Sequence, residues 1–129
     1  MNKEKQQEIL FKLAVFEQQT RQLQEQLQAV EEGIIEISSL NLGLDDLVKG
    51  KGKEIFAPIG RGIFSRAKIS SEKLLVDVGG KNFVEKTIPE TKKLIEKQIQ
   101  KLESIKKELD SSINKIEKEI SEVIEKAQK

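Results

Sequence analysis

The chain carries few groups that could perform covalent or acid–base chemistry. Its 129 residues contain no His and no Cys, which removes the commonest general bases, thiol nucleophiles and soft metal ligands. Carboxylates are plentiful, but they are interleaved with Lys along helix-like surfaces, the pattern of a solvated face rather than of a paired acid and base. Gly60-Arg61-Gly62 has the punctuation of a phosphate loop without its Gly-Lys-Ser/Thr ending or a strand-to-helix context, so a tight turn is expected there. The sequence therefore predicts a protein that is not an enzyme and uses no cofactor and no metal. The residues whose type and place ask for a task are apolar: Leu10, Phe11 and Val15. They stand off the regular pattern of the segment that holds them. They are read either as a frayed end or wider apolar face packed on a neighbour, or as an exposed adhesive tip, since large exposed apolar groups mark interaction sites.

That segment is a helical arm. Ile9, Leu13, Phe16, Thr20, Leu23, Leu27, Val30, Ile34 and Ile37 are spaced alternately by four and three. This spacing draws one narrow stripe on a helix and requires a partner helix along it. Only Thr20 interrupts the apolar series. The pattern fades through SSLNLGLDD, where Asn41 and Gly43 are candidate helix-end residues and Leu44, Leu47 and Val48 either extend the helix or pack it onto the centre. Lys49-Gly50-Lys51-Gly52-Lys53 is expected to be a flexible basic loop.

The centre alternates with a period of two. Ile55–Ile59, Ile63–Ile69, Leu74–Val78 and Phe83–Ile88 make four short strand candidates, with turns at Gly60-Arg61-Gly62 and Gly79-Gly80-Lys81-Asn82. They form two hairpins, too little sheet to bury a face alone. Their free edges call for pairing with other chains. The expected assembly contacts are Ile55, Phe56, Ile59, Ile63, Phe64, Ala67, Ile69, Leu74, Val76, Val78, Phe83 and Val84.

A second arm follows. Thr87, Pro89 and Glu90 form a capping box with proline in the first turn. Apolar residues continue at Ile95, Ile99, Leu102, Ile105, Leu109, Ile113, Ile116, Ile120, Val123 and Ala127. The two successive fours at 105, 109 and 113 predict a stutter that relaxes the supercoil. Two arms of similar length around one centre predict an antiparallel helix pair, with Ile9 and Leu13 near Val123, Ile124 and Ala127.

Composition agrees with long helices. Charged residues make up 35% and aromatics 4%, all Phe, which favours an elongated shape over a large core. Net charge is +1 overall but uneven: residues 1–48 carry 4 basic and 9 acidic groups, residues 49–89 carry 9 and 4, and residues 90–129 carry 10 and 9. A dominant basic face for nucleic acid is missing. No apolar run approaches the roughly 20 residues needed to span a bilayer, and MNKEKQQEIL is too polar for a signal peptide. A cytoplasmic protein is expected.

The order of elements, with EIFAPIGRGIFSRAKI, the following LLVDVGG and FVEKTIPE, closely resembles the alpha class of archaeal prefoldin subunits over nearly the whole chain. The resemblance implies an α+β fold: a long antiparallel two-helix coiled coil with two central β-hairpins that assemble into an oligomeric β-barrel body. It implies one prefoldin-like domain, with residues 1–48 as the first coiled-coil helix, 49–53 a loop, 54–88 the two hairpins and 89–129 the second helix. It further implies an ATP-independent chaperone, a holdase. Two alpha-class and four beta-class subunits form the hexamer, which captures non-native polypeptides at the coiled-coil tips and delivers them to a group II chaperonin. The client-binding tip would consist of Ile9, Leu10, Phe11, Leu13, Val15, Phe16, Val123 and Ile124. The alternatives are a gamma-type prefoldin that builds filaments from one alpha-like chain, and a purely structural coiled-coil scaffold. The KGKGK loop and the polar AQK ending are departures from the family pattern.

Overall fold

Spacing by fours and threes dictates two helices. In the computed structural model, which describes residues 2–128, α1 spans Lys3–Leu44 and α2 spans Ile88–Ala127. Between them come a 3-10 turn at Asp45–Leu47 and four strands: β1 (Glu54–Gly60), β2 (Ile63–Lys68), β3 (Leu74–Asp77) and β4 (Phe83–Lys86). β1 pairs antiparallel with β2, and β3 with β4, with no ladder between the two hairpins. This is the expected fold class of two long helices and two hairpins; a barrel is not a property of one chain. The chain divides into two compact units, one from residues up to Ile35 together with those from Gln100 onward, the other Glu36–Ile99.

In the first unit the two helix segments run antiparallel. A Cβ at Gly33 would lie 3.6 Å from Leu102 Cδ1, and Lys106 Nζ lies 4.0 Å from Glu31 Oε1. Leu109 and Ile113 are buried. The expected stutter is absent. Ile105 is 43% exposed, whereas Lys106 is half-buried, so the stripe runs Leu102, Lys106, Leu109, Ile113 with its fours and threes unbroken. Helix geometry fixes which positions face the partner, whatever their polarity. The four-carbon stem of Lys106 fills the place while its ammonium reaches out to Glu31. On α1, Thr20 occupies its stripe position with its hydroxyl oxygen buried and without a hydrogen-bond partner among the described residues.

In the second unit, α1 does not stop at Asn41 or Gly43. Asn41 and Leu44 take the next two stripe places after Ile37, and Asn41 leaves its Oδ1 buried and unpaired among the described residues. Leu44, Ile88 and Ile95 form the core, with Ile37, Leu47, Leu74 and Ile99 packed against it. The start of α2 is capped as expected. The Glu90 N–H donates to Thr87 Oγ1 (3.2 Å), and the Thr87 hydroxyl donates to Glu90 Oε1 (3.0 Å). The Thr91 hydroxyl adds a bond to the Thr87 carbonyl (2.8 Å).

Both hairpin turns have the backbone hand that matches strand twist. Arg61 (φ 48°) and Gly62 (φ 78°) make the two-residue connection of the first, whereas in the second Gly80 (φ 59°) and Lys81 (φ 64°) are the central residues of a turn within the five that join β3 to β4. In the second, the Asn82 N–H donates to the Gly79 carbonyl (3.1 Å).

The KGKGK loop is not loose. The Gly50 N–H donates to the Leu47 carbonyl (3.0 Å) and the Lys53 N–H to the Gly50 carbonyl (3.0 Å). Gly52 N–H to Ile69 carbonyl (2.7 Å) and Ile69 N–H to Lys53 carbonyl (3.0 Å) then prolong the β1–β2 ladder. Gly50 is buried, and a Cβ there would meet the Leu47 carbonyl oxygen at 2.9 Å. Alternating Lys and Gly suggested mobility because composition does not reveal which backbone groups find partners.

Two stability outcomes follow. Gly50→Ala should cost about 1–3 kcal/mol through overpacking, read as a lowered melting temperature. Thr20→Val removes an unpaired buried hydroxyl at nearly constant shape, so the melting temperature should be unchanged or raised, by up to about 1 kcal/mol of stability. A loss would show that the hydroxyl is satisfied in solution.

Candidate functional site

The first candidate surface is the end of the helix pair in the first unit. A helix that buries a narrow stripe leaves most of its circumference to solvent, so an apolar residue off that stripe is exposed unless something else covers it. Leu10 and Phe11 are 66% and 71% exposed. Ile9, Leu13 and Phe16 lie on the stripe and are half-buried; Val15, although off the stripe, is half-buried too. The exposed apolar side chains among Leu10, Phe11 and Val15 are therefore Leu10 and Phe11.

The facing helix end completes two clefts. Ile9, Phe16 and Val123 line one of about 650 Å3, whose walls also carry Lys5, Glu8, Lys12, Glu119, Glu122 and Lys126. Ile9 and Leu10 line the other with Gln6 and Ala127, about 410 Å3. Leu13 shares a third depression with Ile120. Ile9 thus shares one cleft with Val123 and another with Ala127, as antiparallel arms require. Ile124 is 42% exposed and lines none of these clefts. Three Lys and three Glu on the larger cleft leave it without net charge.

The second candidate surface is the pair of hairpins. In the β1–β2 register, Phe56 faces Arg66 and Pro58 faces Phe64 on one side, while Ile55 faces Ala67 and Ala57 faces Ser65 on the other. Arg66 sits over the Phe56 ring at 5.6 Å. Ile55, Phe56, Ile59, Ile63 and Phe64 are all exposed, Ala67 and Ile69 half-buried. This hairpin is apolar on both faces, a condition that water does not favour for an isolated two-stranded ribbon. In the second hairpin, Leu74 and Val76 are half-buried, with Leu74 against the core, while Val78, Phe83 and Val84 are exposed.

The sequence reading missed Leu75, which lies opposite Glu85 on the outer face of that hairpin and is exposed, and it missed Leu40 and Leu42, exposed on the last turns of α1. Leu40, Leu75, Val78 and Leu94 line an apolar groove of about 690 Å3. The signal was available for Leu75: strict alternation in LLVDV sets it on the side away from Leu74 and Val76.

Among the described residues, no group of three or more His, Cys, Asp or Glu is placed to hold a metal, and no helix is long and apolar enough to cross a membrane.

Comparison with known proteins decides the family. The family model for "Prefoldin subunit" matches residues 16–129. The chain belongs to the prefoldin family. It is 28% identical over 89 residues to the prefoldin subunit alpha of Methanobrevibacter smithii, an alignment covering 68% of this chain and 61% of that protein. With the prefoldin subunit alpha of Thermofilum pendens it shares 33% over 84 residues, 64% of this chain and 65% of the relative. The chain thus spans somewhat less than two thirds of the length of these two curated relatives. A third alpha subunit, from Methanosphaera stadtmanae, is 21% identical over 94 residues, covering 73% of this chain and 68% of the relative. The resemblance to the archaeal alpha class is supported by all three. Among solved structures, the cryo-EM structure of a filamentous PFD from Methanocaldococcus jannaschii superposes with a TM-score of 0.81 at 23% identity, covering 89% of this chain and 97% of that one. At that identity the likeness is one of fold, and prefoldin architecture accounts for both helices and both hairpins.

The exposure of Leu10 and Phe11 has a direct consequence for stability. A Leu10→Ser, Phe11→Ser double variant should unfold within about 0.5 kcal/mol of the parent, as exposed positions do. A large drop in denaturation midpoint would mean that the two side chains are packed.

Proposed function

We propose that this prefoldin chain is a subunit of an ATP-independent holdase that captures non-native polypeptides at the end of its helix pair. The observation that carries the proposal is the contrast on α1: the stripe residues Ile9, Leu13 and Phe16 are half-buried, whereas Leu10 and Phe11, one turn or less away, are about two-thirds exposed or more, at 66% and 71%. A strut would keep those two positions polar. The apolar cleft of Ile9, Phe16 and Val123 beside them supplies a second contact for an unfolded chain. Its balanced charges suit clients of either sign. Each contact is weak, and several tips on one client provide avidity without a deep pocket.

Assembly with other prefoldin subunits belongs to the same proposal. The hairpin apolar on both faces, together with the free strand edges, supports a body completed by neighbouring chains, with two alpha-class and four beta-class subunits as the family resemblance implies. That resemblance also carries the cytoplasm as the place of action and a group II chaperonin as the receiver of clients. No catalytic role is proposed.

Deleting residues 2–16 together with 121–129 from the complex should abolish suppression of aggregation of a denatured protein, while native mass with a beta-class partner stays that of a hexamer. Undiminished protection would overturn the tip assignment. Long assemblies formed by the intact chain alone would assign it to the filament-forming type instead.

A further inference from the structure

The KGKGK loop has no task in client capture, and its construction is unlike that of a solvated spacer. Lys49, Lys51 and Lys53 are exposed, yet the backbone that carries them is held by three hydrogen bonds that tie residues 50–53 to Leu47 and Ile69 and a fourth from the Lys53 N–H to the Gly50 carbonyl. Gly50 is packed too closely against the Leu47 carbonyl to take a side chain. Lys49 adopts φ 57°, a left-handed conformation in which Gly or Asn is less strained. The other non-glycine residues of positive φ are also basic, Arg61 and Lys81. Cations thus occupy turn positions where Gly or Asn would be less strained.

Beside the loop lies a cavity of about 630 Å3, wholly within the second unit. Val48, Ile88 and Pro89 give it an apolar lining, and Val48 is 48% exposed. Lys51, Lys73 and Lys92 supply cations, of which Lys92 is paired with Asp45. Lys51 and Lys73 make no ion pair among the described residues. Residues 49–89, which contain the loop and most of the lining, carry 9 basic and 4 acidic groups. Two lysines without an ion pair among the described residues, Lys51 and Lys73, beside an apolar hollow are complementary to a peptide that brings both carboxylates and an apolar side chain. The apolar floor gives nothing to a polyphosphate backbone, which brings no apolar group to seat there.

We infer that the KGKGK loop and the adjoining cavity are a docking site for an acidic segment of another protein, with an apolar side chain of that segment seated against Val48, Ile88 and Pro89. Lys51 and Lys73 are the cations free to meet its carboxylates. The site is independent of client capture and does not rest on it.

The probe is a short fluorescent peptide of Asp and Glu with one central Leu, titrated by anisotropy into the full chain in its native assembly. Controls are the same peptide with Asn and Gln for the acids, the acidic peptide with Ser for Leu, and a single-stranded oligonucleotide of equal charge. The acidic Leu peptide should bind best, with affinity falling as salt rises. A Lys51→Glu, Lys73→Glu variant should lose at least about tenfold in that affinity, while keeping its helical circular dichroism and its protection of an aggregating protein. Val48→Ser should weaken the Leu peptide and leave its Ser counterpart unchanged. Equal binding of the neutral peptide, tighter binding of the oligonucleotide, or indifference to the charge reversal would each overturn the inference. Loss of aggregation protection with peptide binding intact would bear on the tip and leave this site standing.

Discussion

The repeat of fours and threes along both helices is the constraint on which the remaining structure depends. A straight α-helix has 3.6 residues per turn, and a partner can be followed only by positions that keep an average of 3.5. Once two helices commit to that seam, every other residue's exposure is decided by its distance from it. The seam accepts residues that composition would exclude. Thr20, Asn41 and Lys106 sit in it because their positions face the partner, while Ile105 is turned to water although it is the more apolar neighbour. The cost is borne locally, as two buried oxygens without partners among the described residues and one Lys whose stem is partly covered and whose charge reaches out to Glu31.

The hairpins follow a different logic. A helix pair satisfies its own backbone, so it can stand as an independent rod. A two-stranded ribbon satisfies half of its backbone groups and can bury only one face against the rest of its own chain. The β3–β4 hairpin does this through Leu74. The β1–β2 hairpin has Phe56 and Phe64 on one side and Ile55 on the other, all exposed.

Much of this was legible in the sequence because it is periodic or local. The first arm's spacing named its covered residues through Ile37, alternation named the strands, and the Thr87–Glu90 pair named the start of α2. The misses share a cause: each depended on a choice between neighbours that only three-dimensional pairing makes. Hydrophobicity favoured Ile105 over Lys106, and turn propensity favoured stopping at Asn41, because neither measure contains the partner helix. The same is true of Gly50, whose burial depends on the Leu47 carbonyl and Ile69. At the tip, Leu10 and Phe11 could be singled out from the sequence because departure from a regular pattern is itself a signal. The clefts beside them could not, since they exist only between two helix ends.

The junctions of the second unit differ in their tolerance of insertions. β4 ends at Lys86 and α2 begins at Ile88, so one residue, Thr87, is at once the joint and the cap. A residue added there would turn the α2 stripe by about 100° relative to the hairpin that leads into it. On the other side, six residues separate Leu47 from Glu54, and the added length could be taken up as a wider turn. Lineages descended from such a chain are therefore expected to vary in length before the first hairpin and to hold the length after the second.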